Sequence, residues 1–252
     1  MHNRPPDLAL KIRSLVRRAV PVELRQLLAE ARRRCRDTVD GTRFGARYAG
    51  SEWPVRVELG QPVLPGRLHE GKVVNLRLGA LSIDGSLIEP GGQWSFWRRV
   101  GRPSAGRGFR EGRTISAGRL VGEVGGGLCQ LSGLVYHLAL LGGLEIVERH
   151  PHSVDIYLEQ DRYTPLGSDA TVVWGYKDLR LRNPYPFPVS IGCTYDEPRI
   201  VARLLCEGHL TPLDVTFASD AISPGRVKVH TLIGGESLDV TCYEQKPELR
   251  LE

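Results

Sequence analysis

Val124-Gly125-Gly126-Gly127-Leu128-Cys129-Gln130-Leu131-Ser132 opens a stretch whose apolar residues recur with helical spacing. Leu131, Leu134, Val135, Leu138 and Leu141 fall at i, i+3, i+4, i+7 and i+10, along one side of a helix. Gly142-Gly143 supplies the stop. Cys129 is therefore expected at the N-terminus of a buried helix. The first N–H groups of a helix lack intrahelical acceptors and carry partial positive charge, so a thiolate placed there is stabilised. Glycines just upstream let the backbone approach a bound group and aim N–H groups at a developing oxyanion. Gly126, Gly127, Leu128 and Gln130 are the candidates for that role. The same pattern also describes a small buried cysteine after a tight turn. Nucleophile and packing residue both stand as readings of Cys129.

The 252 residues are 41% hydrophobic and 25% charged, enough for a real core in one domain with an appendage. The five cysteines, at 35, 129, 193, 206 and 242, are odd in number and show no CxxC or zinc-knuckle spacing. A full disulfide framework is not expected, a reducing compartment fits better, and neither metal nor cofactor is expected. No run of about 18 apolar residues is present. Leu8 to Val20 is interrupted by Lys11, Arg13, Arg17 and Arg18, which leaves no signal-peptide core. These features place the chain in the cytoplasm, with the inner face of the membrane as the alternative.

Residues 1–47 read as a basic helical arm, with apolar positions such as Leu8, Ile12, Leu15, Leu24 and Leu28 and a dense run at Arg32, Arg33, Arg34 and Arg36. A solvated appendage is the plain reading. An anionic membrane surface or an acidic partner are the functional ones, and nucleic acid is disfavoured because the arm has no interleaved aromatics.

Further on, residues 51–66 read as an extended segment and Gly71 to Leu81 as a helix. Gln93 to Trp97 reads as an aromatic strand with Trp94 and Phe96 on one face. Residues 101–112 read as a loop, whose Arg107 and Arg110, with Arg113 beyond it, either meet an anionic substrate or are merely solvated. Thr114 to Val121 reads as a strand. Trp94 and Trp174 are candidates for walls of a substrate cleft, with core packing the commoner use of such residues. Leu144 to Val147 reads as a strand running on to Glu148-Arg149-His150-Pro151-His152. If the chain stays extended, His150 and His152 share a face, and either can serve Cys129 as a base. Asp169 opens an expected strand, Asp169 to Trp174, and is a candidate to orient a histidine. Val189 to Cys193 and Ile200 to Leu205 begin a stretch of antiparallel β-structure reaching about 243, with Cys193, Cys206 and Cys242 as packing residues. The expected architecture is α+β: a Cys-bearing central helix on a mainly antiparallel sheet, with the arm at 1–47, a core at 51–189 and a C-terminal β extension at 190–252 packed on the core.

From about Gly71 to Val189 the chain resembles the VanW family. The resemblance is carried by Pro90-Gly91-Gly92 with Trp94-Ser95-Phe96-Trp97 and by Gly125-Gly126-Gly127-Leu128-Cys129-Gln130. Ile146 to His152, Pro165-Leu166-Gly167 with Asp169-Ala170-Thr171, and Trp174 to Leu181 complete it. It implies a link to bacterial cell-wall metabolism or glycopeptide resistance. Members similar in activity to L,D-transpeptidases join peptidoglycan stem peptides through a thioacyl-enzyme. On that pattern Cys129 is the nucleophile and a peptidoglycan stem peptide or wall precursor the partner. The roles of His150 or His152 as base and of Asp169 as orienting acid come from chemistry rather than from the family. Wall-acting members usually carry an export or anchor segment, and none is visible in this sequence. A non-enzymatic accessory that binds a wall precursor or glycopeptide is the rival reading.

Overall fold

A computed structural model of the protein describes residues 20–45, 52–116 and 119–251. The basic stretch 1–19 of the arm lies outside the described residues. The architecture is α+β, with several antiparallel sheets and few helices.

The helix that begins beside the three glycines is α4 in chain order, Leu128–Leu141. Leu131, Leu134, Val135 and Leu138 are sealed in the core, as their spacing requires. It packs on β1 (Val55–Pro62) and β10 (Arg199–Leu205). These belong to a four-stranded antiparallel sheet in the order β1-β10-β9-β2, with β9 at Val189–Asp196 and β2 at Ser86–Ile88. Its register pairs Ala202 with Cys193 and Leu204 with Ile191, and all four are buried, so one sheet face is continuous with the apolar side of α4. A second helix, α2 (His69–Ile83), lies against β9 and against α4. Its Gly79 leaves no room for a side chain beside Leu131 and Leu128, and that close approach brings the start of α2 up to the glycines.

Two further sheets frame this core. β3 (Gln93–Ser95), β8 (Arg180–Arg182) and β6 (Glu145–Glu148) form a three-stranded sheet. β11 (Val215–Ser223), β12 (Arg226–Ile233) and β13 (Glu236–Gln245) form an antiparallel meander, and β13 pairs in parallel with the short β7 (Val154–Asp155). Glu244 faces Val154 in that pairing, so the C-terminal sheet is stitched to the chain two residues after His152.

Several sequence expectations change. The aromatic strand ends at Ser95, where α3 (Phe96–Val100) begins. The Ser95 hydroxyl caps this short helix by accepting from the Arg98 N–H, and the Trp97 N–H donates to Asp178, so capping outweighs the strand preference of the aromatics. The single strand expected at Thr114 to Val121 is a hairpin, β4 (Glu111–Ser116) with β5 (Arg119–Val124), and part of the expected loop belongs to it. Beyond Glu148 the chain leaves the sheet before the histidines. Asp169 to Trp174 is not a regular strand: its backbone is held by single bonds, Thr171 N–H to the His150 carbonyl at 2.6 Å and a lone bridge from Val173 to Lys177. Cys193 and Cys206 are buried, but Cys242 is exposed on the outer face of β13 and is no packing residue.

The described part of the arm forms α1, Val22–Val39. Polar contacts fasten it to the core: Arg33 pairs with Glu148, and buried Asp37 accepts from Arg98 at 2.8 Å and from Arg180 at 2.6 Å.

Candidate active site

The loop that delivers Cys129 is built around Asn75 of α2. This fully buried amide donates to the carbonyls of Arg110 and Gly126, both at 2.9 Å, and accepts from the Arg110 N–H at 2.8 Å. All its hydrogen bonds thus bolt the glycine turn to the β4 entry. At Gly126 an added Cβ would fall 2.0 Å from the Gly112 carbonyl oxygen. Gly127 has φ +100°, and an added Cβ there would meet the stem of Lys72 at 2.7 Å. Glycine is needed at both positions, for close approach at 126 and for the left-handed turn at 127.

Of the expected oxyanion donors, three are already engaged. The N–H of Gly126 donates to the Glu123 carbonyl at 2.9 Å, that of Leu128 to Gly125 at 3.3 Å and that of Gln130 to Gly127 at 2.9 Å. These three are corrected: the tight turn uses them to close itself. Gly127 remains, and the N–H of Cys129 joins it, because neither has a backbone acceptor among the described residues.

The Cys129 side chain is half-buried, with its thiol 3.8 Å from the Val172 carbonyl oxygen. The Ser132 hydroxyl donates to the Ala170 carbonyl at 2.6 Å, tying the 169–172 segment to α4 one turn away. That tie sets Asp169 beside His152. The carboxylate accepts from the His152 backbone N–H at 2.6 Å and meets its ring Nδ1 at 2.8 Å. With Nδ1 so occupied, Nε2 is the ring nitrogen left over, and the Cys129 side chain lines the same cavity as the ring. Burial pulls the His152 pKa down, but the hydrogen bonds to Asp169 and Cys129 and their charges outweigh it, and the imidazole is held at about 10. Burial likewise pushes Asp169 up, yet His152, Arg149 and the Tyr243 hydroxyl bring it down to about 2.

His150 goes elsewhere. Its Nε2 lies 2.9 Å from Glu148 Oε1, in the network that also holds Arg33 and Arg180. The two histidines do not share a face, because the chain has left the sheet before reaching them.

Behind Asp169 stands Arg149, its side chain only 3% exposed. It donates to the Asp169 carboxylate and carbonyl, the Gly167 carbonyl, Asp239, Thr241 and the Tyr243 hydroxyl, and it lies over the Tyr136 ring. Tyr243 in turn donates to Asp169 Oδ1 at 2.5 Å. Sequence reasoning gave no role to Arg149 or Tyr243. Arg149 lay inside the quoted motif between two residues of more familiar chemistry, and no local signal marks a tyrosine near the end of a meander.

Cys129, His152 and Asp169 open onto one cavity of about 640 Å³. Gly127, Gln130, Tyr157 and Tyr163 also line it. Trp94 and Trp174 do not. Trp94 is 1% exposed and packs edge-on against Phe96, and Trp174 is 8% exposed beneath the Arg102 guanidinium. Both belong to the core, as expected of residues that bury so much area. Among the described residues no group of three or more His, Cys, Asp or Glu could hold a metal ion. No helix among them is long and apolar enough to cross a membrane.

Comparison with known proteins bears on residues 71–205, which match the family described as VanW like protein. The chain is 35% identical over 139 residues to the vancomycin B-type resistance protein VanW of Enterococcus faecalis (strain ATCC 700802 / V583), covering 55% of this chain and 50% of that protein. It is 36% identical over 117 residues to the uncharacterized protein YoaR of Bacillus subtilis (strain 168), covering 46% of this chain and 37% of that protein. No solved structure matches. The chain therefore spans half or less of the length of these relatives. Cys129, His152 and Asp169 all lie within the matched residues, whereas Asp239, Thr241 and Tyr243 lie beyond them. With the match covering more than half of its 252 residues, this chain belongs to the VanW family.

Proposed function

We propose that the protein is a cysteine acyl-transfer enzyme acting on a peptide of the bacterial cell-wall type, with Cys129 as nucleophile, His152 as proton carrier and Asp169 as the acid that orients it. One observation carries the reading: a thiol, an imidazole and a carboxylate line one cavity, with the carboxylate on the imidazole Nδ1. The wall-peptide substrate rests on family resemblance, supported by the name of the Enterococcus relative, a vancomycin resistance protein.

At neutral pH an imidazole with a pKa of about 10 holds its proton. In the proposed reaction the attacking species is the Cys129 thiolate, and His152 carries the proton for the leaving amine. The sulfur forms a C–S bond to the substrate carbonyl. The N–H groups of Gly127 and Cys129 meet the oxyanion. His152 delivers its proton to the departing amine as the C–N bond breaks, leaving a thioester. An incoming amine, or water, attacks the thioester and gives its proton to His152, and the C–S bond breaks to restore the ion pair. The Asp169 carboxylate keeps the ring oriented throughout, and Arg149 and Tyr243 keep the carboxylate ionised.

Incubation of the full chain with a synthetic stem peptide, followed by intact-mass and peptide mapping, tests this. The expected result is an acyl adduct on Cys129 that hydroxylamine removes and that is absent in Cys129→Ser. The absence of any adduct, together with iodoacetamide alkylation of Cys129 no faster than that of exposed Cys35 and Cys242, overturns it.

A further inference from the structure

A helix lying on a globular core ordinarily turns its apolar side inward. α1 does the reverse. Gln26, Glu30, Arg33 and Asp37, at i, i+4, i+7 and i+11, face the core. Glu30 and Asp37 are buried, Arg33 reaches Glu148, and the Gln26 backbone lies against Gly175. Leu24 and Leu28 stand on the opposite side, with Leu27 beside them, and each is close to half exposed. Exposed Ala31, Cys35 and Val39 continue the seam, so that apolar or small residues run at i, i+4, i+7, i+11 and i+15 from Leu24. Charge is sorted in the same way. With Glu30 and Asp37 turned inward, Glu23 is the acid of α1 left on the outside. Helical spacing puts Arg34 along one edge of the seam and Arg32 and Arg36 along the other, and all three are exposed. Arg34 shares Glu30 at 2.8 Å, while Arg32 and Arg36 have no acidic partner among the described residues. In the sequence the basic character continues upstream through Lys11, Arg13, Arg17 and Arg18.

We propose that the outer side of α1 is a docking surface for an anionic lipid bilayer, with the leucines entering the boundary between headgroups and acyl chains and Arg32, Arg34 and Arg36 meeting lipid phosphates. The inference stands apart from the reading of Cys129. A helix with a leucine seam between basic edges lies in the plane of a membrane interface. Each guanidinium can pair its N–H donors with phosphate oxygens while its stem lies along apolar surface. A second copy of the chain fits the seam less well, because arginines along both edges would set like charges against each other. The polar pairs on the inner side hold α1 to the core, so the leucines are presented without the helix leaving the fold.

Flotation of the full chain with vesicles tests it, comparing phosphatidylcholine alone with a two-to-one mixture of phosphatidylcholine and phosphatidylglycerol. Binding to the mixture is expected to be tighter by about ten-fold or more and to weaken as salt is added. Leu24→Gln combined with Leu28→Gln should weaken binding to the mixture by about ten-fold, and so should Arg32→Gln combined with Arg36→Gln. Both pairs of residues face solvent, so thermal melting of the variants should match the wild-type chain. Cys35, within the seam, gives a local readout: the mixture should slow its iodoacetamide alkylation several-fold and leave that of exposed Cys242 unchanged. Absent binding, or equal binding to the two kinds of vesicle, overturns the proposal. So does binding that neither variant pair weakens and that leaves Cys35 open, which assigns the lipid to another part of the chain. Protection of Cys35 that grows with protein concentration without vesicles, together with a doubled mass in sedimentation, gives the seam to a second copy and overturns it as well. Binding to duplex DNA with none to the mixture has the same consequence.

Discussion

Glu148 and Asp169 each gather a histidine and arginines about one carboxylate, yet the two assemblies stand in different settings. Glu148 holds His150, Arg33 of α1, Arg180 and the Asp178 N–H. Its pKa is lowered: burial works against this, but His150 and Arg33 outweigh it. The product is a fastening between the N-terminal helix and the sheet. Asp169 holds His152, Arg149 and Tyr243, and its assembly opens onto the cavity that Cys129 also lines. Two histidines separated by one proline therefore end in different chemistry. The difference lies in what stands beside each network: Arg33 of α1 at Glu148, and the cavity with Cys129 at Asp169.

The largest expected effect sharpens the bracing side of this contrast. Arg149→Met leaves Asp169 and Asp239 without their shared cation and frees β13 from the loop. Urea denaturation should show a loss of about 3 kcal/mol, the lower end for breaking a buried pair because both acids keep some contact with water. A loss under about 1 kcal/mol would mean the C-terminal sheet does not brace the site.

Next comes the histidine comparison itself. His152→Gln should slow iodoacetamide alkylation of Cys129 at pH 7 by about 100-fold, the low end of what a positioned proton-transfer group contributes. His150→Gln should leave it within about two-fold. Equal effects would erase the distinction between the two networks. The same His152→Gln variant reads the pH dependence of stability. With its folded pKa raised from 6.5 to about 10, His152 contributes fully below about pH 6.5, and the contribution is lost as pH rises toward 10. Asp169, lowered from 3.8 to about 2, contributes above about pH 4 and loses its share as pH falls toward 2. The wild-type chain should therefore melt highest between about pH 4 and 6.5 relative to His152→Gln, and the gap should close through pH 10. A gap that widens with alkali would reverse the sign and break the assignment.

Asp37→Asn probes the fastening. It leaves Arg98 without its counter-charge and removes one of the three around Arg180, which keeps Asp178 and Glu148, and should cost about 2 kcal/mol by thermal melting, with Cys129 alkylation unchanged. A change at Cys129 would show that α1 is coupled to the cavity. The smallest effect belongs to Tyr243→Phe, which removes the hydroxyl that donates to Asp169 and accepts from Arg149. About 1 kcal/mol of stability and a few-fold loss of Cys129 reactivity are expected. Unchanged reactivity would confine Tyr243 to packing.

Local pattern accounts for much of this molecule. The spacing of Leu131, Leu134, Val135 and Leu138 defines which side of α4 is buried, and three glycines followed by a cysteine specify a turn into a helix. The alternation in Val189 to Cys193 and Ile200 to Leu205 predicts strands, and those strands pair with each other. Asp169 was singled out by its residue type and position, while the regular strand expected around it is absent. Its neighbours are held by side-chain and single backbone bonds, which leave no periodic trace. The aromatic strand fails for a related reason: a serine cap and an aspartate 81 residues from Trp97 outweigh local preference.

The sequence by itself determined the α+β class, the burial of one helix, the position of Cys129 beside glycines and the short set of candidate residues for the proposed acyl chemistry. Only the tertiary structure chose His152 over His150, because that choice depends on which carboxylate each ring meets, and the carboxylates come from different parts of the chain. Only the tertiary structure removed Trp94 and Trp174 from the cavity, enlisted Tyr243 from the C-terminal sheet and put Lys72 next to Gly127. Periodicity reports which side of an element avoids water. It carries no information about which distant polar groups meet across the space between elements, and the site is made of such meetings.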